Sequence, residues 1–182
     1  DETRTAYLAG SEIYRITGLE NNEPEFIDIS TEVLDIPNAG TRNGNPLRCE
    51  ISMDKHFNGV VWFYYICNYD KGGEIKIYNR IVKYDDISGY SLIYEADESQ
   101  AGVHGSDYKL EFSVSPSNQT IFYAGGTSIK KINLLPIPTS NSMKDGSYPE
   151  DCWVHDDIRD MQIFSDGIHD TLFITDDSGI SW

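Results

Sequence analysis

Two short segments concentrate the groups that could do chemistry. VHDDIRD, opening at Val154, brings His155, Asp156, Asp157, Arg159 and Asp160 together, and VHGSD, opening at Val103, supplies His104 and Asp107. Neutral imidazole with carboxylates is a donor set for a hard or borderline metal ion, and a carboxylate pair is the minimum equipment for glycoside hydrolysis. The same groups also suit a solvated rim. An imidazole at equivalent places in successive units can instead donate to a neighbouring backbone carbonyl and tie one unit to the next. No Gly-x-Ser-x-Gly elbow, His-Glu-x-x-His pair or Gly-rich phosphate loop accompanies them. No catalytic residue and no metal ligand set is therefore assigned.

The elements that must position these groups are strands. Laying His104 on His155 without a gap sets Leu110 on Met161, Phe112 on Ile163, Thr120 on Thr171, Phe122 on Phe173 and Ile129 on Ile180. Leu110, Phe112 and Val114 alternate with polar residues, as do Met161 and Ile163, which is the period of a strand with one buried face. A turn follows in each copy, then a run rich in aromatic and β-branched residues, TIFYA or TLFIT, then a glycine turn and a third short strand. Upstream, TAYLAGSEIYRI matches TIFYAGGTSIKKI with one residue skipped, and Cys49, Ile51 and Met53 alternate ahead of VVWFYYI. Strands of the second kind are thus expected to begin near 5, 60, 120 and 171. Spacings of roughly 50 to 60 residues suit four-stranded antiparallel units. The segment 25–37 reads equally as a turn or two of helix or as an outer strand.

A four-stranded unit of this size cannot bury both faces alone, so the units must stack, and radial stacking leaves few exposed edges. On this pattern the chain resembles a stretch of a β-propeller of the superfamily that includes BNR (Asp-box) sialidase-like, sortilin-like and NHL or YVTN-type propellers. The resemblance implies an all-β fold of three to four antiparallel four-stranded blades, with units about 1–42, 43–100, 101–150 and 151–182, the last incomplete. It also implies that each blade's first strand lines a central channel, which would put VHGSD and VHDDIRD at the channel rim. Thr175, Asp177, Gly179 and Trp182 fit the Asp-box form, a structural turn. In families with the box it joins a blade's third and fourth strands, whereas the repeat alignment places it before the third strand here. The chain is expected to be a piece of a longer protein whose further blades, in the same or another chain, supply the missing strands.

Composition narrows the partners. With 39% hydrophobic and 12% aromatic residues the chain is too apolar to be read as disordered. Its 30 acidic against 14 basic residues give a net charge of -16, a field that repels phosphate backbones and anionic membranes, so nucleic acid is excluded as a partner. No apolar run approaches the roughly 20 residues needed to span a bilayer, and the acidic start DETRT does not read as a signal peptide. Cys49, Cys67 and Cys152 are too few and too far apart for a disulfide framework, and buried free thiols are the simplest reading. No cofactor motif is present. Calcium is the one ion that the acidic, glycine-bearing tracts NYDKGG and DDSG would suit, and neither has calcium-loop spacing.

Tyrosine is the remaining signal. Tyr69, Tyr78 and Tyr84 lie along the long hairpin 68–86, where amphipathic rings on an extended loop suit recognition of protein or glycan. The function expected is therefore that of a non-enzymatic binding or scaffolding module of an extracellular or cell-surface protein. Two alternatives stay open: a glycoside hydrolase or lyase of sialidase-like build, and a purely structural segment. Sialidase chemistry needs three arginines gripping a carboxylate and a Tyr-Glu nucleophile pair. Of the six arginines in the chain, none lies in a motif that assigns it that work.

Overall fold

The computed structural model describes residues 5–21, 23–36, 40–53, 59–97, 110–118, 121–125, 129–134, 139–142, 158–176 and 179–181. The chain is all-β, in antiparallel sheets drawn in turn from successive stretches of sequence. The first sheet runs β1 (Ala6–Ala9), β2 (Ile13–Thr17), β3 (Glu25–Asp28). In the second, β4 (Thr41–Arg42) and β5 (Arg48–Met53) both pair with one edge of β6 (Val61–Lys71), which continues to β7 (Glu74–Asp85) and β8 (Gly89–Asp97). The third is β9 (Glu111–Val114), β10 (Ile121–Gly125), β11 (Ile129–Asn133) and β12 (Thr139–Ser142). The fourth is β13 (Asp160–Ser165), β14 (Asp170–Asp176) and β15 (Gly179–Ser181). The strands expected near 5, 60, 120 and 171 begin at Ala6, Val61, Ile121 and Asp170.

The sheets differ from uniform four-stranded units. The first and fourth have three strands each among the described residues, and β4, drawn from the end of the first expected unit, joins the second sheet. The segment 25–37 divides its length between both expected forms, β3 and a one-turn helix α1 (Ser30–Leu34). Such a helix has too few internal hydrogen bonds to stand alone. Its start is fixed by the Asp28 carboxylate, which accepts from Ser30 N (2.9 Å) and Oγ (2.6 Å), while Ser30 Oγ accepts from Ile13 N at 2.9 Å. At its end the hydroxyls of Tyr65 and Tyr69 donate to the carbonyls of Val33 and Leu34 at 3.3 and 2.5 Å.

Strand β6 is the centre of the stack. Residues Val61 to Cys67 are buried on both faces, which is why VWFYYIC reads as an unbroken apolar run rather than an alternation. Its Phe63, Tyr65 and Cys67 face Ile13, Val33 and Leu34 of the first sheet and helix. Its Trp62, Tyr64 and Ile66 face Phe112, Val114, Phe122 and Ile132 of the third sheet. A register shift at Ile81/Val82 re-aims β8, so that Leu92 joins the first of these cores while Tyr94 joins the second. A third, smaller core of Ile129, Ile158 and Ile174 joins the third sheet to the fourth. The leading strands run side by side, β1 against β5, β5 against β9 and β9 against β13. Two hydroxyls fasten neighbouring sheets there: Val114 N donates to Ser52 Oγ at 3.2 Å, and buried Ser115 donates to the Asp170 carboxylate.

The sequence match between the last two units is not carried into strand register. Phe122 is opposite Val114, whereas its counterpart Phe173 is opposite Gln162, and Phe122 is buried while Phe173 is exposed. The turns explain the difference. The β13–β14 hairpin closes at Ser165–Asp170, where the Asp166 carboxylate accepts from Ile168 N and His169 N at 2.8 Å each. In the other copy Ser115 Oγ accepts from Asn118 N at 3.0 Å and builds a different turn. An odd change of register turns a strand's side chains to the opposite face.

Candidate functional site

Of the rim residues expected from sequence, His104, Asp107, His155, Asp156 and Asp157 lie outside the described residues. Arg159 and Asp160 are exposed where β13 begins. Arg159 N donates to Thr175 O at 2.7 Å, and the Asp160 carboxylate accepts from Met161 N at 2.8 Å. Thr175 lies in β14, paired with Asp160 on one side and Ile180 on the other, and Gly179 opens β15 with φ 137°. The Asp-box-like segment thus leads from the second strand of its sheet to the third. Its Asp177 and Trp182 are outside the described residues.

The three hairpin tyrosines divide. Tyr69 is fully buried and is not a surface ring, which corrects its assignment as a partner contact. The reason is that β6 has sheets on both sides, so its alternating residues have no solvent face. Besides holding the end of α1, the Tyr69 ring carries the guanidinium of fully buried Arg80 at 3.4 Å. Arg80 donates to Glu95 through Nε (2.8 Å) and pairs with it through Nη2 (2.6 Å), and Lys71 pairs with the same carboxylate. Lys71 also lies 4.4 Å over the partly buried Tyr78 ring. Tyr84, also partly buried, stacks against Tyr90 at 4.7 Å and donates to Asp86 at 2.9 Å.

Beside this cluster lies an open cleft of about 540 Å³, lined by Asp35, Gly40, Thr41, Arg42, Gly44 and Asn45. Asp35 enters from the end of α1, and β4 supplies Thr41 and Arg42 against the edge of β6, with Thr41 opposite Asp70 and Arg42 opposite Tyr69. Gly40 makes that approach possible. It has φ 88°, and a Cβ there would fall 2.9 Å from Asp70 O and 2.8 Å from Lys71 Cγ. Arg42 grips both oxygens of Asp35, Nε to Oδ1 at 2.8 Å and Nη2 to Oδ2 at 3.0 Å, and Nη1 donates to Gly44 O at 3.3 Å. The fork-to-fork hydrogen bonds raise the Arg42 pKa further and fix the orientation of the pair. Thr41 and Asn45 stand exposed beside it.

The cleft is therefore a neutralised, hydrogen-bonding surface that can offer hydroxyl, amide and carboxylate groups to a polar ligand. It offers no activated thiol. Burial pushes the Cys67 thiol up, and Cys49 likewise, so both are protonated at neutral pH, and both are free. Among the described residues no group of three or more His, Cys, Asp or Glu side chains could hold a metal ion. No helix among them is long and apolar enough to cross a membrane.

Sequence reasoning missed this cleft. Its residues fall in a Gly, Asn and Pro-rich segment, DIPNAGTRNGNP, that reads as a connection. The one signal was a single arginine flanked by turn residues shortly after an aspartate, and only the fold of α1 onto β6 brings Asp35 to it. Comparison of the chain with protein-family models, with curated proteins and with solved structures gave no match.

Proposed function

We propose that the chain is an arc of a β-propeller and acts as a non-catalytic binding or scaffolding module of a secreted or cell-surface protein, recognising protein or glycan at the cleft beside β4. The side-by-side line of leading strands β1, β5, β9 and β13 supports the radial arrangement. The observation that carries the functional reading is the Asp35–Arg42 fork. Its charges satisfy each other and are held rigidly on the edge of a sheet buried on both faces, as suits recognition by hydrogen bonds. The long β6–β7 hairpin, closed by Gly72 and Gly73 at φ 72° and 89°, extends the same surface.

The test is an amide-shift titration of the labelled protein with a panel of neutral and sialic-acid-terminated oligosaccharides and short basic peptides. At least one member should move Gly40, Thr41, Gly44 and Asn45 amides saturably and be recovered unchanged, with Asn45→Ala weakening it. Shifts confined to other regions, no shifts with any probe, or hydrolysis of a glycan would overturn the proposal.

A further inference from the structure

Each sheet inside the stack uses one face toward its predecessor and the other toward its successor. The second sheet turns Phe63, Tyr65 and Val82 to the first and Trp62, Tyr64 and Ile81 to the third. The third turns Phe112 and Phe122 back and Ile129 forward. This leaves two apolar faces in solvent, one at each end. On the first sheet Leu8 and Phe26 are 53% and 59% exposed on the face opposite Tyr7 and Ile13, with Phe26 edge-on to Tyr14 at 6.5 Å. On the fourth, Phe164 and Phe173 are 58% and 37% exposed on the face opposite Met161 and Ile174, edge-to-face at 5.3 Å. Single exposed apolar residues are ordinary, but paired aromatics on the outer faces of end sheets are not scattered.

We infer that these faces are the two halves of one interface, and that the fourth sheet of one copy of the chain stacks head to tail on the first sheet of a second copy. The inference rests on the propeller reading above. The first sheet's free face is the kind that receives a preceding sheet, and the fourth sheet's is the kind that meets a following one. Joining them repeats a contact that the chain already makes between each pair of successive sheets. Two arcs of four sheets make eight, within the usual four to eight blades, so the ring closes with two identical heterologous contacts and no free end. Charge opposes the association, since each copy carries -16. Dimerisation should therefore strengthen as salt shortens the Debye length from about 30 Å at 0.01 M to about 8 Å at 0.15 M.

Sedimentation velocity on the 182-residue chain tests this. The expected species has twice the 20.6 kDa chain mass and gains population with salt. Phe26→Lys and Phe164→Lys, on exposed positions, should each weaken the dimer at least tenfold without lowering the melting temperature. An equimolar mixture of the two variants should recover dimer, because the pair rebuilds one intact contact. A monomer at every concentration and salt would overturn the inference, as would a Phe164→Lys variant that dimerises like the parent or a mixture no better than its components. Assemblies larger than the dimer would overturn the closed ring. A monomer that keeps its internal Trp62–Phe122 and Ile129–Ile174 contacts would sink the association alone and leave the propeller reading standing.

Discussion

Removing the carboxylate of Glu95 should cost more stability than removing the arginine it holds. Arg80 has no exposed surface and Glu95 keeps 25% of its side chain exposed, so the pair straddles the edge of the core. Glu95→Gln keeps the shape but leaves the guanidinium buried without its counter-charge. Breaking a buried pair from one side costs about 3–5 kcal/mol, and the partial exposure of Glu95 sets the expectation near about 3 kcal/mol. Arg80→Met removes the charge itself, leaves Glu95 with Lys71 and puts a thioether on the Tyr69 ring. The lost cation–π contact, about 2 kcal/mol when desolvated, is offset by relief of the charge's desolvation and by a sulfur–aromatic contact of about 0.3–1.5 kcal/mol. A net cost of about 1 kcal/mol or less follows. Urea unfolding at constant m should move the midpoint of Glu95→Gln down by about 1 M or more, with Arg80→Met close to the parent and the double variant close to Arg80→Met. An Arg80→Met variant less stable than Glu95→Gln would refute the reasoning.

Two further perturbations probe the joints between sheets. Ser115→Ala removes the hydroxyl that donates to Asp170 across the third and fourth sheets and should cost about 1–3 kcal/mol, with amide exchange rising first in β13 and β14. Unchanged exchange there would remove the serine from that role. Alkali should loosen the joint between the first and second sheets. Burial, then the neighbouring Tyr7, pushes Tyr90 up to about 12, whereas an unfolded tyrosine titrates near 10. The unfolded chain sheds a proton that the folded chain holds, so this stability is complete below about pH 10 and falls as pH rises toward 12. A melting temperature that stays flat across that window would contradict the burial of Tyr90.

Much of the fold was legible because burial leaves a periodic mark. The alternation of Leu110, Phe112 and Val114 and the unbroken run after Val61 each announce a strand and say how many of its faces are covered. Register was not legible, because it is decided by turns. Phe122 and Phe173 match in type and neighbours, but Asp166 ties its hairpin in a way that Ser115 does not. The cleft was hidden for a related reason: Asp35 and Arg42 meet only once α1 is fastened to β6 by Tyr65 and Tyr69, a tertiary contact with no local signature. Tyr69 shows the same limit from the other side, since a ring suited to recognition and a ring that holds a helix end have the same sequence appearance.

The most direct test of the stacked arc is a set of nuclear Overhauser contacts in one sample. The account predicts contacts between the Tyr7 and Phe63 rings, whose centroids are 5.9 Å apart, between Trp62 and Phe122 at 6.5 Å, and between the methyls of Ile129 and Ile174. Together they place the four sheets face to face in chain order. Loss of all contacts at any one of the three joints, with the strands themselves intact, would contradict it.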